Sequence, residues 1–99
     1  MVVSSLRKSA FDQVARALDF SALLPQGQTL SLASVTAQDA FGNDVTTQLI
    51  AASPAPAVSG AQLAFQIMGG TSGKQYLVVG RVSSSDGQKF EASIKVTVE

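Results

Sequence analysis

The chain has no cysteine, no histidine and no tryptophan. Without cysteine there is no disulfide framework, thiolate metal site or sulfur nucleophile. Without histidine the commonest transition-metal ligand and the usual general base at neutral pH are missing too. The aromatic complement is five phenylalanines and one tyrosine, and a sandwich core needs most of them. The seven basic and seven acidic residues cancel, so no global field draws nucleic acid or an acidic membrane surface. Neither a signal peptide nor a membrane span is legible, because Met1-Val2-Val3-Ser4-Ser5-Leu6-Arg7-Lys8 has no long apolar stretch behind its charges. The protein is expected to stay in the cytoplasm where it is made unless it leaves within an assembly. Ninety-nine residues with no change of composition regime read as one domain.

What is present is strand patterning. Phe90, Ala92, Ile94, Val96 and Val98 alternate with Lys89, Glu91, Ser93, Lys95 and Thr97, a strand with one buried face. Before it, a strand from Tyr76 to Ser83 ends in turn residues Ser85-Asp86-Gly87-Gln88, giving a hairpin. Leu63, Phe65 and Ile67 alternate in another strand that Gly69-Gly70 terminates. A strand is expected from Thr29 to Gln38, with Val35 out of phase with Leu30 and Leu32, so a bulge near Ala33-Ser34 is needed. Further short strands are expected at residues 16–21 and 45–51. Ser53-Pro54-Ala55-Pro56 reads as a loop or edge crossover, since proline removes a ladder donor. The sum is an all-β, immunoglobulin-like β-sandwich of about six or seven antiparallel strands at residues 16–99, preceded by an N-terminal arm at 1–15, extended or briefly helical.

The motifs divide between structural and functional readings. Gly73-Lys74-Gln75-Tyr76 looks like a tyrosine corner, in which a tyrosine opening the penultimate strand bonds back across the preceding turn; the simpler alternative is a tyrosine on a sheet face. Gly69-Gly70-Thr71-Ser72-Gly73-Lys74 fails as a phosphate loop, because Gln75 follows the lysine and a strand follows the loop. Asp39, Asn43 and Asp44 flank one turn, and turn-forming roles outweigh a weak cation site. Serines near Asp86 have no activating partner. No catalytic, cofactor or metal residue is assigned, and the chain reads as not an enzyme.

Residues 1–16 hold Arg7, Lys8 and Arg16 against Asp12, three basic groups to one acidic. Either they are a frayed terminus, or Val2, Val3, Leu6, Arg7, Lys8 and Phe11 order on a neighbouring subunit. Phe41 and Asn43 at one loop tip, and Thr71 and Lys74 at another, complete the candidate interface.

Ala17-Leu18-Asp19-Phe20-Ser21, continuing to Gln26-Gly27-Gln28-Thr29-Leu30, and Gly69-Gly70-Thr71-Ser72-Gly73 with Tyr76 and Ser85-Asp86-Gly87-Gln88 through Val98, resemble the fibre-tail adaptors, a family of small bacteriophage virion proteins with an immunoglobulin-like fold. The resemblance covers roughly residues 15 to 98. It departs from the family where the tryptophan common after the aspartate-aromatic-serine element is missing, and where Ser84-Ser85 replaces a threonine. It implies a non-enzymatic structural protein in the virion, joining tail fibres to the tail or head-tail connector. Many copies would stand in a symmetric assembly, contacting tail, connector or fibre subunits and neither nucleic acid nor membrane. The alternatives are a capsid decoration protein or, from another class, a carbohydrate-binding module.

Overall fold

A computed structural model describes residues 2–22, 27–52 and 55–99, with backbone only for residues 2–4, 32 and 33. Two sheets make up the domain. The first runs in the order β1-β7-β6-β3, from β1 (Val2–Lys8), β7 (Lys89–Val98), β6 (Gln75–Ser84) and β3 (Leu30–Asp39). The second runs β2-β5-β4, from β2 (Val14–Asp19), β5 (Gln62–Ile67) and β4 (Ala57–Ser59). Pairing is antiparallel except that β1 lies parallel to β7. The chain is an all-β sandwich.

Alternation explains the core. Val78, Val82, Ile94, Val96 and Val98 point inward from β6 and β7, while Leu18, Leu63, Phe65 and Ile67 point inward from β2 and β5; together they form one buried cluster. Each such side chain contributes about 1.5–3 kcal/mol by leaving water. The sheets approach closely at Gly80, where an added Cβ would stand 2.7 Å from Leu18 Cδ1 and 2.8 Å from Leu63 Cδ2. Only glycine lets both leucines seat against β6. The expected bulge is the register shift between Leu32 and Ser34 in β3.

Three expectations need revision or relocation. Residues 45–51, expected as a strand, contain the helical turn α1 (Thr46–Leu49). Asp44 Oδ1 accepts bonds from the Thr46 N–H (3.0 Å) and hydroxyl (2.6 Å), which bends the chain into a turn. Val45 and Leu49 then fall on one face, and Leu49 is fully buried, so the apolar residues serve a helical period of four as well as they would a strand period of two. Residues 2–8 are not set apart from the sheet, because β1 hydrogen-bonds to β7 from Val2 opposite Ser93 to Lys8 opposite Val98. The first strand of the other sheet begins at Val14. The Ser53-Pro54 pair lies outside the described residues, as do the side chains of Val2 and Val3.

Candidate functional site

The register brings one set of loops to one end of the sandwich. Lys8 is level with Val98, Thr97 with Gln75, and Tyr76 with Asp39, so the ends of β1, β7 and β3 and the start of β6 share one rim. Val14 pairs with Ile67, which brings residues 9–13 and 68–74 to the same end, along with the turn after Asp39. Backbone bonds tie these pieces together: Gly73 N–H donates to Val98 O (2.8 Å) and Met68 N–H to Leu49 O (2.8 Å). Tyr76 is buried, and its hydroxyl accepts the Thr71 N–H at 2.9 Å, pinning the 68–74 loop against the strand it feeds. Gly69 and Gly70 take positive φ there, and a Cβ on Gly70 would meet Val98 Cγ2 at 2.7 Å.

The candidate interface residues separate into exposed and interior sets. Phe11 and Phe41 are 95% and 84% exposed, the large apolar side chains left in solvent among the described residues. They follow β1 and β3, the opposite edges of the four-stranded sheet. Asn43, Thr71 and Lys74 are exposed on the loops between those edges. Arg7 is exposed and paired with Glu99 at 3.4 Å. Leu6 and Lys8 are corrected to interior residues: Leu6 belongs to the core cluster at 7% exposure, because its place on β1 faces the other sheet. Lys8 is 3% exposed, and its Nζ donates to the carbonyls of Ser9 (2.7 Å) and Gly69 (2.5 Å). Loss of hydration pushes its pKa down, opposed by the nearby Asp12 and Tyr76. It latches the 9–13 loop to the 68–74 loop.

The acidic turn is built, but not for a cation. Asp39 Oδ1 accepts the N–H groups of Phe41 and Asn43, both at 2.9 Å, and Oδ2 accepts the Asn43 side-chain amide at 3.1 Å. These bonds, that from the Asn43 backbone foremost, hold its pKa below the ordinary carboxylate value. Asp44 is held low likewise, by the Thr46 hydroxyl and then its N–H. Oxygens occupied by donors are poorly placed to ligate calcium, and among the described residues no group of three or more acidic side chains gathers. What the turn does is hold Phe41 outward.

One surface escaped the sequence reading. The outer face of β2-β5-β4 carries Ala17 paired with Ala64 and Ala64 with Ala57. With Ala15 and Ala55 they line a shallow apolar groove of about 420 Å³, with Arg16 alongside. The signal was available, since Ala15 and Ala17 fall out of phase with buried Leu18, and Ala64 out of phase with Leu63 and Phe65.

A small β-sandwich with loops and exposed phenyl rings at one end, and with Asp39, Asp44, Gly69 and Gly70 committed to its turns, belongs to the class of small structural β-domains. The family follows from the sequence as a whole: residues 8–97 match the model for Gp77, the podophage GP4 fiber-tail adaptor protein gp77, and the chain belongs to that family. No curated protein matches it.

Proposed function

We propose that this protein is an immunoglobulin-like adaptor of the virion, linking tail fibres to the tail or head-tail connector, and that the loop end is the surface through which it grips its partner. Membership of a phage fibre-tail adaptor family supports the role. The order β7-β6-β3 facing β2-β5-β4 supports the fold, because an immunoglobulin-type sandwich sets its G-F-C and B-E-D strands in this way. The observation that carries the surface is the exposure of Phe11 and Phe41 on a rim whose polar groups are largely satisfied within the chain. Arg7 has Glu99, Asp39 its turn, and Lys8 two carbonyls. The unsatisfied contact area is apolar, as at the centre of protein interfaces. Thr71 and Lys74 supply the polar rim. The mechanism is adhesion by shape, with many copies multiplying a modest contact. No observation favours capsid decoration or glycan binding.

Cryo-electron microscopy of intact particles tests this. Copies in a ring at the tail or connector, with residues 9–12 and 71–74 against a fibre or tail subunit, are expected. Copies spread over the capsid lattice would remove the adaptor role, and a ring contacting its partner through the opposite end would remove the assigned surface.

A further inference from the structure

Two open sheets have four edges between them, and here three are blunted. β3 carries a bulge between Leu32 and Ser34. Further along, its open side is taken up: Ala37 N–H donates to Thr46 Oγ1 at 3.0 Å, and Ala37 O accepts the Val45 N–H at 2.9 Å. β4 has three residues and follows Pro56. β1 has a register irregularity between Val2 and Ser4, and the Arg7–Glu99 ion pair stands near its other end. Bulges, short strands, prolines and charges are how folds keep edges from pairing. β2, by contrast, has six residues in unbroken register with β5 and no proline.

Its ladder fixes which backbone groups are free. Phe20 N–H donates to Ala61 O at 2.8 Å, and the register then makes Leu18 with Leu63, Arg16 with Phe65 and Val14 with Ile67 the doubly bonded pairs. The N–H and C=O groups of Ala15, Ala17 and Asp19 therefore point away from β5, along the open edge. Among the described residues, the Arg16 guanidinium is what covers them, and only in part: its Nη1 donates to Ala15 O at 2.8 Å. We propose that this edge receives an extended segment of another protein as an added antiparallel strand, and that the segment carries an acidic residue between two large apolar ones.

Side-chain phase gives the segment its chemistry. Incoming residues opposite Ala15 and Ala17 exchange backbone bonds with the edge and turn their side chains to the outer face, beside the methyl row of Ala17, Ala64 and Ala57. Side chains this small leave a recess of about 420 Å³, which suits leucine-sized groups leaving water. The residue between them lies opposite Arg16, in the kind of pair where side chains approach most closely, and on the other face from the methyl row. Arg16 is exposed and has no ion pair among the described residues. A carboxylate opposite it draws the guanidinium off Ala15 O and frees that carbonyl for the ladder. Arg16 thus guards the empty edge and selects an acidic occupant, since a neutral strand leaves the guanidinium in the way. Asp19 stands on the face of the methyl row at the end of β2, so a basic incoming residue suits the place opposite it. An adaptor has two neighbours to hold. The loop end is one surface and this edge a second, and neither assignment depends on the other.

The probe is a blocked peptide containing lysine-threonine-leucine-glutamate-leucine flanked by threonines, titrated into the full chain while amide resonances are followed. Up to about 2 mM peptide, a range suited to one short strand, the amides of Ala15, Ala17 and Asp19 are expected to shift and to exchange about threefold more slowly or better, and those of β3 to stay unchanged. Lysine in place of the glutamate is expected to weaken binding roughly threefold, and Arg16→Glu to invert the preference between the two peptides. Ala17→Pro deletes an edge donor but no bond to β5, so it is expected to keep its dichroism and lose the peptide. Methylating both leucine nitrogens of the peptide makes the same test on the unaltered protein. Edge amides that do not respond, a methylated peptide that binds as well as its parent, or an Arg16→Glu chain that still prefers glutamate would each overturn the proposal. So would protection of these amides that grows with protein concentration alone, which would give the edge to a second copy.

Discussion

On the four-stranded sheet the outward positions of β6 and β7 carry Gln75, Arg81, Glu91 and Lys95 around the half-buried Leu77 and Val79, and Arg81 Nε meets Glu91 Oε1 at 2.7 Å. On the three-stranded sheet the outward positions carry Ala15, Ala17, Ala57 and Ala64 with Gln62, Gln66 and Ser59, and Asp19 at the end of β2. The inner faces, by contrast, are alike: both are mainly aliphatic, with Phe65 on one and Tyr76 on the other, buried in one cluster. Folding requires only the inner faces, so the divergence outside is free to serve other ends. The charged face is suited to remain in water. The alanine face is a row of small side chains with one exposed carboxylate, Asp19, at the end of β2, and folding does not require its methyl row.

The largest way to break this comparison is to damage what the sheets share. Leu63→Ala, at a fully buried site, is expected to cost about 2–5 kcal/mol in chemical denaturation. A loss below 1 kcal/mol would mean the two sheets do not share a core. Next comes the corner: Tyr76→Phe removes the acceptor of the Thr71 N–H and should cost about 0.5–1.5 kcal/mol, with faster amide exchange in residues 69–74 and little change in β5. The outer faces should hardly register. Arg81→Ala loses a half-exposed ion pair, about 0.2–1 kcal/mol, and Ala17→Ser under about 0.5 kcal/mol; a large loss from Ala17→Ser in dilute monomer would show that this face already supports the fold.

The smallest effect is in acid. Asp39 and Asp44 have pKa values lowered by the N–H and hydroxyl donors around them. Their contribution is therefore complete above the ordinary carboxylate value and is lost as pH falls through the lower folded values. Melting temperature should decline only below about pH 4, and Asp39→Asn, which cannot titrate, should make that decline shallower. An unchanged acid limb would show that the turn carboxylate is not what protons attack.

Legibility from the sequence followed the strength of the alternation. β5, β6 and β7 could be read because their apolar residues keep strict period two, and the β3 bulge because Val35 broke it. Val45 to Ile50 could not, because a capping aspartate and a spacing of four rival a strand there, and only the packing of Leu49 decides. Leu6 and Lys8 misled for a related reason. A short basic segment looks solvated, yet β7 offered a free edge, and a lysine near a strand end can bury its stem when carbonyls meet its ammonium. Phe41 and Lys74 were placed on loop tips because turn residues surround them, and Phe11 was placed on the basic N-terminal arm. The groove was missed because alanine carries no chemistry; its meaning lies in three strands aligned side by side, which no single stretch of sequence displays.

The parallel pairing of β1 with β7 sets a schedule for biosynthesis. Val2 lies opposite Ser93, so the strand made earlier waits for a partner made some ninety residues later, about 5–20 s at ordinary elongation rates. Until then its backbone donors and acceptors have only water to satisfy them. The edge of the four-stranded sheet is the last part of the domain to close, and a ribosome that stalls before Lys89 leaves a chain with neither strand in place.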